Sequence, residues 1–163
     1  MNTSEHTILA AEDNPDEALL LERACRKANL HNPLHVARDG QEVIDYLMHQ
    51  GNFSDAMRYP LPALLLLDLK MPRKNGFEVL EWLRQQPGLR RLIVVVLTSS
   101  NQVADVNRAY DLGSNSYLVK PAGFETLIEM MKDVNHYWLE LNERPDLKDN
   151  PRGTPASGQS VVA

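Results

Sequence analysis

Four consecutive leucines, Leu64 to Leu67, run straight into a carboxylate, Asp68, with prolines on both sides at Pro60, Pro62 and Pro72. An apolar run this short, on consecutive positions, reads as a strand buried on both faces. Strands of that kind belong to parallel sheets covered by helices. Ligands of open parallel sheets bind outside the carboxyl ends of the strands, which is where Asp68 falls. Taken alone, a strand-end aspartate is as readily a helix cap or a turn residue. The other strands decide.

The rest of the chain alternates strand and helix. Thr7 to Ala11 is a short apolar strand ended by Glu12-Asp13. Asn14 then caps a helix, Pro15 suits its first position, and Glu17 stands where a capping-box acid reaches back. Leu34 to Ala37 is a weaker strand, and Asp39-Gly40 opens a helix carrying Val43, Ile44, Leu47 and Met48 on one face. Residues 51–62 form a proline-rich loop longer than most connections. A turn over residues 73–76 follows the central strand, and Pro87-Gly88 stops the next helix. Leu92 to Leu97 is a fourth strand ending in Thr98. Ser100 or Asn101 caps a helix that Gly113 closes. Ser116 to Val119 is a fifth strand ending in Lys120-Pro121, and a last helix runs from about Phe124 to about Leu141. Residues 1–141 thus make one domain, and residues 142–163, mixing Pro, Gly, Ser and balanced charge, read as a disordered tail. Five strand-helix units with right-handed crossovers give an α/β fold, a doubly wound parallel sheet with helices on both faces.

Doubly winding the sheet brings the strand ends to one edge. They supply Glu12, Asp13, Asp68, Thr98 and Lys120. Three carboxylates crowded together repel, and a hard divalent cation relieves them; an all-oxygen set suits Mg²⁺. A hydroxyl and an ammonium beside a metal are what a phosphoryl group needs, and a carboxylate such as Asp68 can be its nucleophilic acceptor. The net charge of -5 argues against nucleic acid or a membrane surface as partner. No apolar run reaches membrane-spanning length. The single cysteine, Cys25, lies among helix apolar positions and builds neither a disulfide nor a zinc site. These features point to the cytoplasm. His35 lacks a second ligand at zinc-like spacing, Ser99-Ser100 lacks a catalytic histidine pattern, and no Gly-rich phosphate loop follows the first strand.

The pieces Glu12-Asp13-Asn14-Pro15, Asp39-Gly40, Leu67-Asp68 with Met71-Pro72 and Gly76, Leu97-Thr98, and Tyr117 to Pro121 together resemble a receiver domain of a two-component response regulator. The long loop 51–62 and the terminal Tyr137-Trp138-Leu139 are similar to the regulators that partner bacterial phytochromes, the cyanobacterial phytochrome response regulators. The resemblance implies a flavodoxin-like strand order, 2-1-3-4-5. It implies that Asp68 is phosphorylated by a histidine kinase, here a bacteriophytochrome. It implies that Glu12, Asp13, Asp68 and the Lys70 backbone carbonyl hold Mg²⁺, and that Thr98 and Lys120 bind the phosphoryl group. Lys120-Pro121 is then expected to be a cis peptide, and Tyr117 to turn inward when Thr98 moves. Lys70, a flexible cation two residues past Asp68, leaves phosphoryl lifetime open. The chain is expected to be a switch and not an enzyme beyond its own phosphorylation and dephosphorylation. The alternative is an aspartate-nucleophile phosphatase or phosphotransferase acting on a soluble substrate.

The last helix carries an apolar stripe at spacings of three and four: Phe124, Leu127, Met131, Val134, Trp138 and Leu141. A helix of about eighteen residues is about 27 Å long, whereas a strand spans about 17–20 Å. The final turns are expected to overhang the sheet. With too few residues after Leu141 to form an effector domain, a second copy of the chain is expected to cover them, in a homodimer built on the last helix, the fifth strand and the helix before it.

Overall fold

The leucine run becomes the middle of the sheet because apolar neighbours meet it on both faces. In the computed structural model, which describes residues 6–147, Leu64–Leu67 (β3) lies between Ile8–Ala11 (β1) and Val94–Thr98 (β4), with Leu34–Ala37 (β2) and Ser116–Val119 (β5) at the edges. All pairings are parallel, in the order β2-β1-β3-β4-β5. Leu65 and Leu67 point with Leu9, Val94 and Val96 into one apolar layer, under α2 (Gly40–Met48), α3 (Gly76–Arg84) and Ala109 of α4 (Val103–Asp111). Leu64 and Leu66 point with Ile8, Ala10, Val95 and Leu97 into the other, against α1 (Pro15–Lys27) and α5 (Phe124–Val134). Period-two side-chain alternation in a run with no polar position is what fills both layers.

The helix starts follow their caps. Asn14 accepts from the N–H groups of Asp16 and Glu17, with Pro15 at the first position. Asn75 and Glu78 complete a capping box on α3. The box expected at α1 is not closed, because the Asn14 N–H goes to Glu12 Oε2 at 3.1 Å and leaves the Glu17 carboxylate for another partner. Helix α4 starts after Gln102 without a side-chain cap; Ser100 instead donates its hydroxyl to Asp105. The loop between α2 and β3 is held by rings. Tyr46, Phe53 and Tyr59 lie 5.1–5.7 Å apart, centroid to centroid. His35 packs 5.2 Å from Tyr59, and the fully buried Tyr46 donates its hydroxyl to the Pro60 carbonyl at 2.8 Å. Burial in this box, then the charge of Arg58, depress the His35 pKa.

The last helix departs from the expected stripe. After Val134 the chain widens into a π-helix, Asn135–Leu141. Its hydrogen bonds reach one residue further than an α-turn, so the buried positions step from Met131 and Val134 to Leu139, not to Trp138. Tyr137 and Leu141 remain exposed, as the overhang requires, and Trp138 is half-buried edge-on to Tyr137 at 4.8 Å. The chain then stays on the domain: Arg144 donates to the Leu139 carbonyl and Leu147 packs against the first apolar layer. The rest of the expected disordered tail, 148–163, lies outside the described residues.

Candidate functional site

Each strand end delivers its side chain because the strand stops there. Asp68 follows β3 directly, and its N–H still donates to the Ala11 carbonyl at 3.2 Å, so the residue is fixed by the ladder it terminates. Glu12 and Asp13 follow β1 in the same way, Thr98 ends β4, and Lys120 follows β5 with its N–H on the Thr98 carbonyl at 2.7 Å. The sequence-expected residues therefore do meet. One carboxylate oxygen from each of Glu12, Asp13 and Asp68 lies within 4.8 Å of the others. Glu12 and Asp68 are buried, whereas Asp13 is exposed.

Both oxygens of Asp68 are engaged. Oδ1 accepts from Thr98 Oγ1 at 2.8 Å and from the Lys70 N–H at 3.3 Å. Oδ2 accepts from Lys120 Nζ at 2.7 Å. The same ammonium donates to Glu12 and, at 2.7 Å, to Glu17 Oε1. Burial alone lowers a lysine pKa, but hydrogen bonds to Asp68, Glu12 and Glu17 outweigh it and hold the Lys120 ammonium well above its ordinary range. Burial pushes the Glu12 carboxyl up; Lys120 and the Asn14 N–H offset part of that, and the Asp68 charge adds to it. Lys120 is thus the counter-charge that lets these acids sit together. An all-oxygen donor set of three carboxylates also fits a hard divalent cation.

Two glycines let the surrounding loops close. A Cβ on Gly76 would meet the Asp68 carbonyl oxygen, and one on Gly40 would meet the Lys74 carbonyl oxygen. The Gly40 N–H donates to that Lys74 oxygen at 3.0 Å. Arg73, in the left-handed region at φ 63°, grips Asp39 with two bonds of 2.8 and 3.1 Å. The loop carrying Lys70 is thereby pinned to the start of α2.

Tyr117 is half-buried and donates its hydroxyl to the Ser100 carbonyl at 2.8 Å, tying β5 to the loop that follows Thr98. Burial raises its pKa, the Ser100 bond lowers it, and Asp105 and Asp68 add to the rise. One expectation is corrected. Lys120–Pro121 is trans; among the described residues there is no cis peptide bond. With its N–H held by Thr98, the lysine side chain reaches three carboxylates on trans backbone, the more stable isomer for X–Pro. Glu17 is the site residue that sequence reasoning missed. Its signal, an acid three residues after a cap, is the same signal that marks a capping box.

The response regulator receiver domain family profile matches residues 8–132. The chain is 39% identical over 139 residues to the probable methanogenesis regulatory protein FilR2 of Methanothrix harundinacea, covering 85% of this chain and 86% of that one. It is 36% identical over 138 residues to response regulator Rcp1 of Synechocystis sp., covering 85% and 92%. The solved structure of the Mn(2+)-bound form of Rcp1 superposes with a TM-score of 0.76 at 35% identity, covering 86% of this chain and 99% of that one. The phosphorylated cyanobacterial phytochrome response regulator RcpA superposes with a TM-score of 0.79 at 33% identity, with the same coverage.

Proposed function

This chain belongs to the response regulator receiver family, and we propose that Asp68 is its phosphoacceptor, charged by a histidine kinase and read out by a protein interface. The observation that carries the reading is the bonding of Asp68: a hydroxyl, a backbone N–H and an ammonium converge on a carboxylate backed by apolar sheet.

A carboxylate oxygen of Asp68 attacks phosphorus, the phosphorus–nitrogen bond of a phosphohistidine breaks, and an acyl phosphate forms on Asp68. Mg²⁺ on Glu12, Asp13, Asp68 and the Lys70 carbonyl supplies neutralisation of the phosphoryl oxygens when bound. Thr98 and Lys120 already touch the acceptor, so both are placed to follow the charge onto the phosphoryl group. Movement of Thr98 is felt by Tyr117 through Ser100 two residues on, which biases a two-state equilibrium.

The likeness to Rcp1 and RcpA supports a phytochrome-type histidine kinase as donor. The buried Cys25 thiol fits a cytoplasmic setting; among the described residues no helix is long and apolar enough to cross a membrane. The readout surface we assign is α4, β5 and the last helix, as a homodimer. A groove of about 560 Å³ between β5 and the last helix is lined by Leu118, Met130, Val134, Tyr137 and Trp138, and Val103 of α4, Val119 of β5 and Leu141 of the last helix are exposed. Sedimentation with and without a phosphoryl analogue tests this; a chain that stays monomeric at high concentration in both states refutes the dimer.

Acetyl phosphate, set against a soluble phosphate monoester, separates the switch from a phosphatase. With Mg²⁺, the switch carries up to one phosphoryl group per chain and releases phosphate only as fast as that acyl phosphate hydrolyses, whereas a phosphatase also hydrolyses soluble phosphate monoesters over many turnovers. Sustained turnover of such a monoester would overturn the reading.

A further inference from the structure

We propose that Glu17 is a positioning residue, a second anchor that holds the Lys120 ammonium when a divalent cation takes the oxygens of Glu12 and Asp68. The proposal rests on the reading of that carboxylate trio as a cation site.

An ammonium has three hydrogens, and all three of Lys120's are used, on Glu12, Asp68 and Glu17. Two of these acceptors belong to the trio whose oxygens converge, together with Asp13; Glu17 does not. A cation entering the trio therefore shares the Glu12 and Asp68 carboxylates with Nζ, and two positive centres on the same carboxylates repel. Without a further anion, the lysine is left beside the cation with no partner of its own, and its flexible stem lets the ammonium swing away from Asp68. Glu17 removes that conflict. It stands in the first turn of α1, where a helix N-terminus favours an acid. Asn14 holds its backbone N–H at 3.2 Å. Its carboxylate is released from the capping box because Glu12 takes the Asn14 N–H. Lys120 can thus keep one ion pair while it gives up the other two, and it stays within reach of a phosphoryl group arriving on Asp68.

The test is a double-mutant cycle on Mn²⁺ affinity, read from the electron paramagnetic resonance of the free ion in 0.15 M salt, where the field of an exposed carboxylate is screened. The four proteins are wild type, Glu17→Gln, Lys120→Met and the double variant. Glu17→Gln is expected to weaken Mn²⁺ about tenfold in the wild-type background and at most about twofold beside Lys120→Met, as a coupling of ordinary size requires. Equal factors in both backgrounds overturn the anchor while leaving the cation site intact. A wild-type chain that takes up no Mn²⁺ overturns the cation site, and the anchor with it. If Lys120→Met does not fold, the ¹⁵N resonance of the Lys120 ammonium decides between wild type and Glu17→Gln alone. With Mg²⁺ added, its protected signal is expected to survive in the first and vanish in the second, and equal behaviour in both overturns the proposal.

Discussion

Arg84 and Lys120 are half-buried cations at opposite ends of the sheet, and opposite kinds of partner hold them. Arg84 donates to the carbonyls of Gly113 (3.0 and 2.6 Å), Arg90 (2.7 Å) and Leu92 (2.8 Å) and to Asn115 Oδ1 (3.2 Å). Every acceptor is neutral, and burial, with no carboxylate to offset it, lowers the guanidinium pKa. Lys120 donates only to carboxylates, and its pKa rises. The planar guanidinium suits fixed backbone oxygens, which have nowhere to go. The compact ammonium suits side-chain charges that a cation or a phosphoryl group can reassign. One end of the sheet is clamped; the other is poised to exchange partners.

Removing the clamp is expected to cost the most stability. Arg84→Ala leaves several acceptors without their donor, at about 3 kcal/mol in total, read from urea unfolding. Acetyl phosphate labelling per folded chain should be unchanged; its loss would mean that the two ends are not independent. Lys120→Met should cost about 2 kcal/mol in metal-free buffer, because the acids lose their counter-charge. Unlike the first, this loss should largely vanish in millimolar Mg²⁺, and a deficit indifferent to Mg²⁺ would make Lys120 another clamp.

The Asp39–Arg73 grip should contribute less, being open to solvent on the arginine side. Burial raises the Asp39 carboxyl pKa, but the Arg73 and Glu42 hydrogen bonds lower it further, to a net value below its ordinary range. A depressed carboxyl contributes stability that is present above its unfolded pKa, near 4, and is lost as pH falls through the folded value. Asp39→Asn should therefore lower stability at neutral pH and flatten the acid limb below about pH 4, as followed by circular dichroism. An unchanged acid limb would remove Asp39 from the pH response. The smallest effect is expected at Tyr117→Phe, which loses one hydrogen bond, about 1 kcal/mol or less. Labelling should be normal while the phosphate-dependent dimerisation we propose weakens, and an unchanged dependence in sedimentation would route the coupling elsewhere.

What could be read in the sequence divides along the same physical line. Asp68 and Thr98 were legible because a doubly buried strand has no polar residue until it ends, so the first polar side chain marks the carboxyl edge; Lys120, after the half-buried edge strand β5, was legible from the Lys120-Pro121 step that stops that strand. Glu17 was not, since a capping box and an ion pair to a distant lysine ask for the same residue at the same place. Trp138 was assigned to the apolar stripe and Leu139 was not, because a π-helix breaks the period on which the stripe was counted. Tyr46, Phe53, Tyr59 and His35 come from an edge strand, a helix and a loop, and nothing local announces that their rings meet. The Lys120–Pro121 bond was expected to be cis because the family resemblance implied it, but the lysine is aimed without it.

The phosphoacceptor is tested most directly by locating the label. After acetyl phosphate and Mg²⁺, borohydride reduction and peptide mass mapping should find the modification on Asp68 alone, and Asp68→Asn should carry none. Full labelling of the Asn variant, or a wild-type label mapped to another residue, would contradict it.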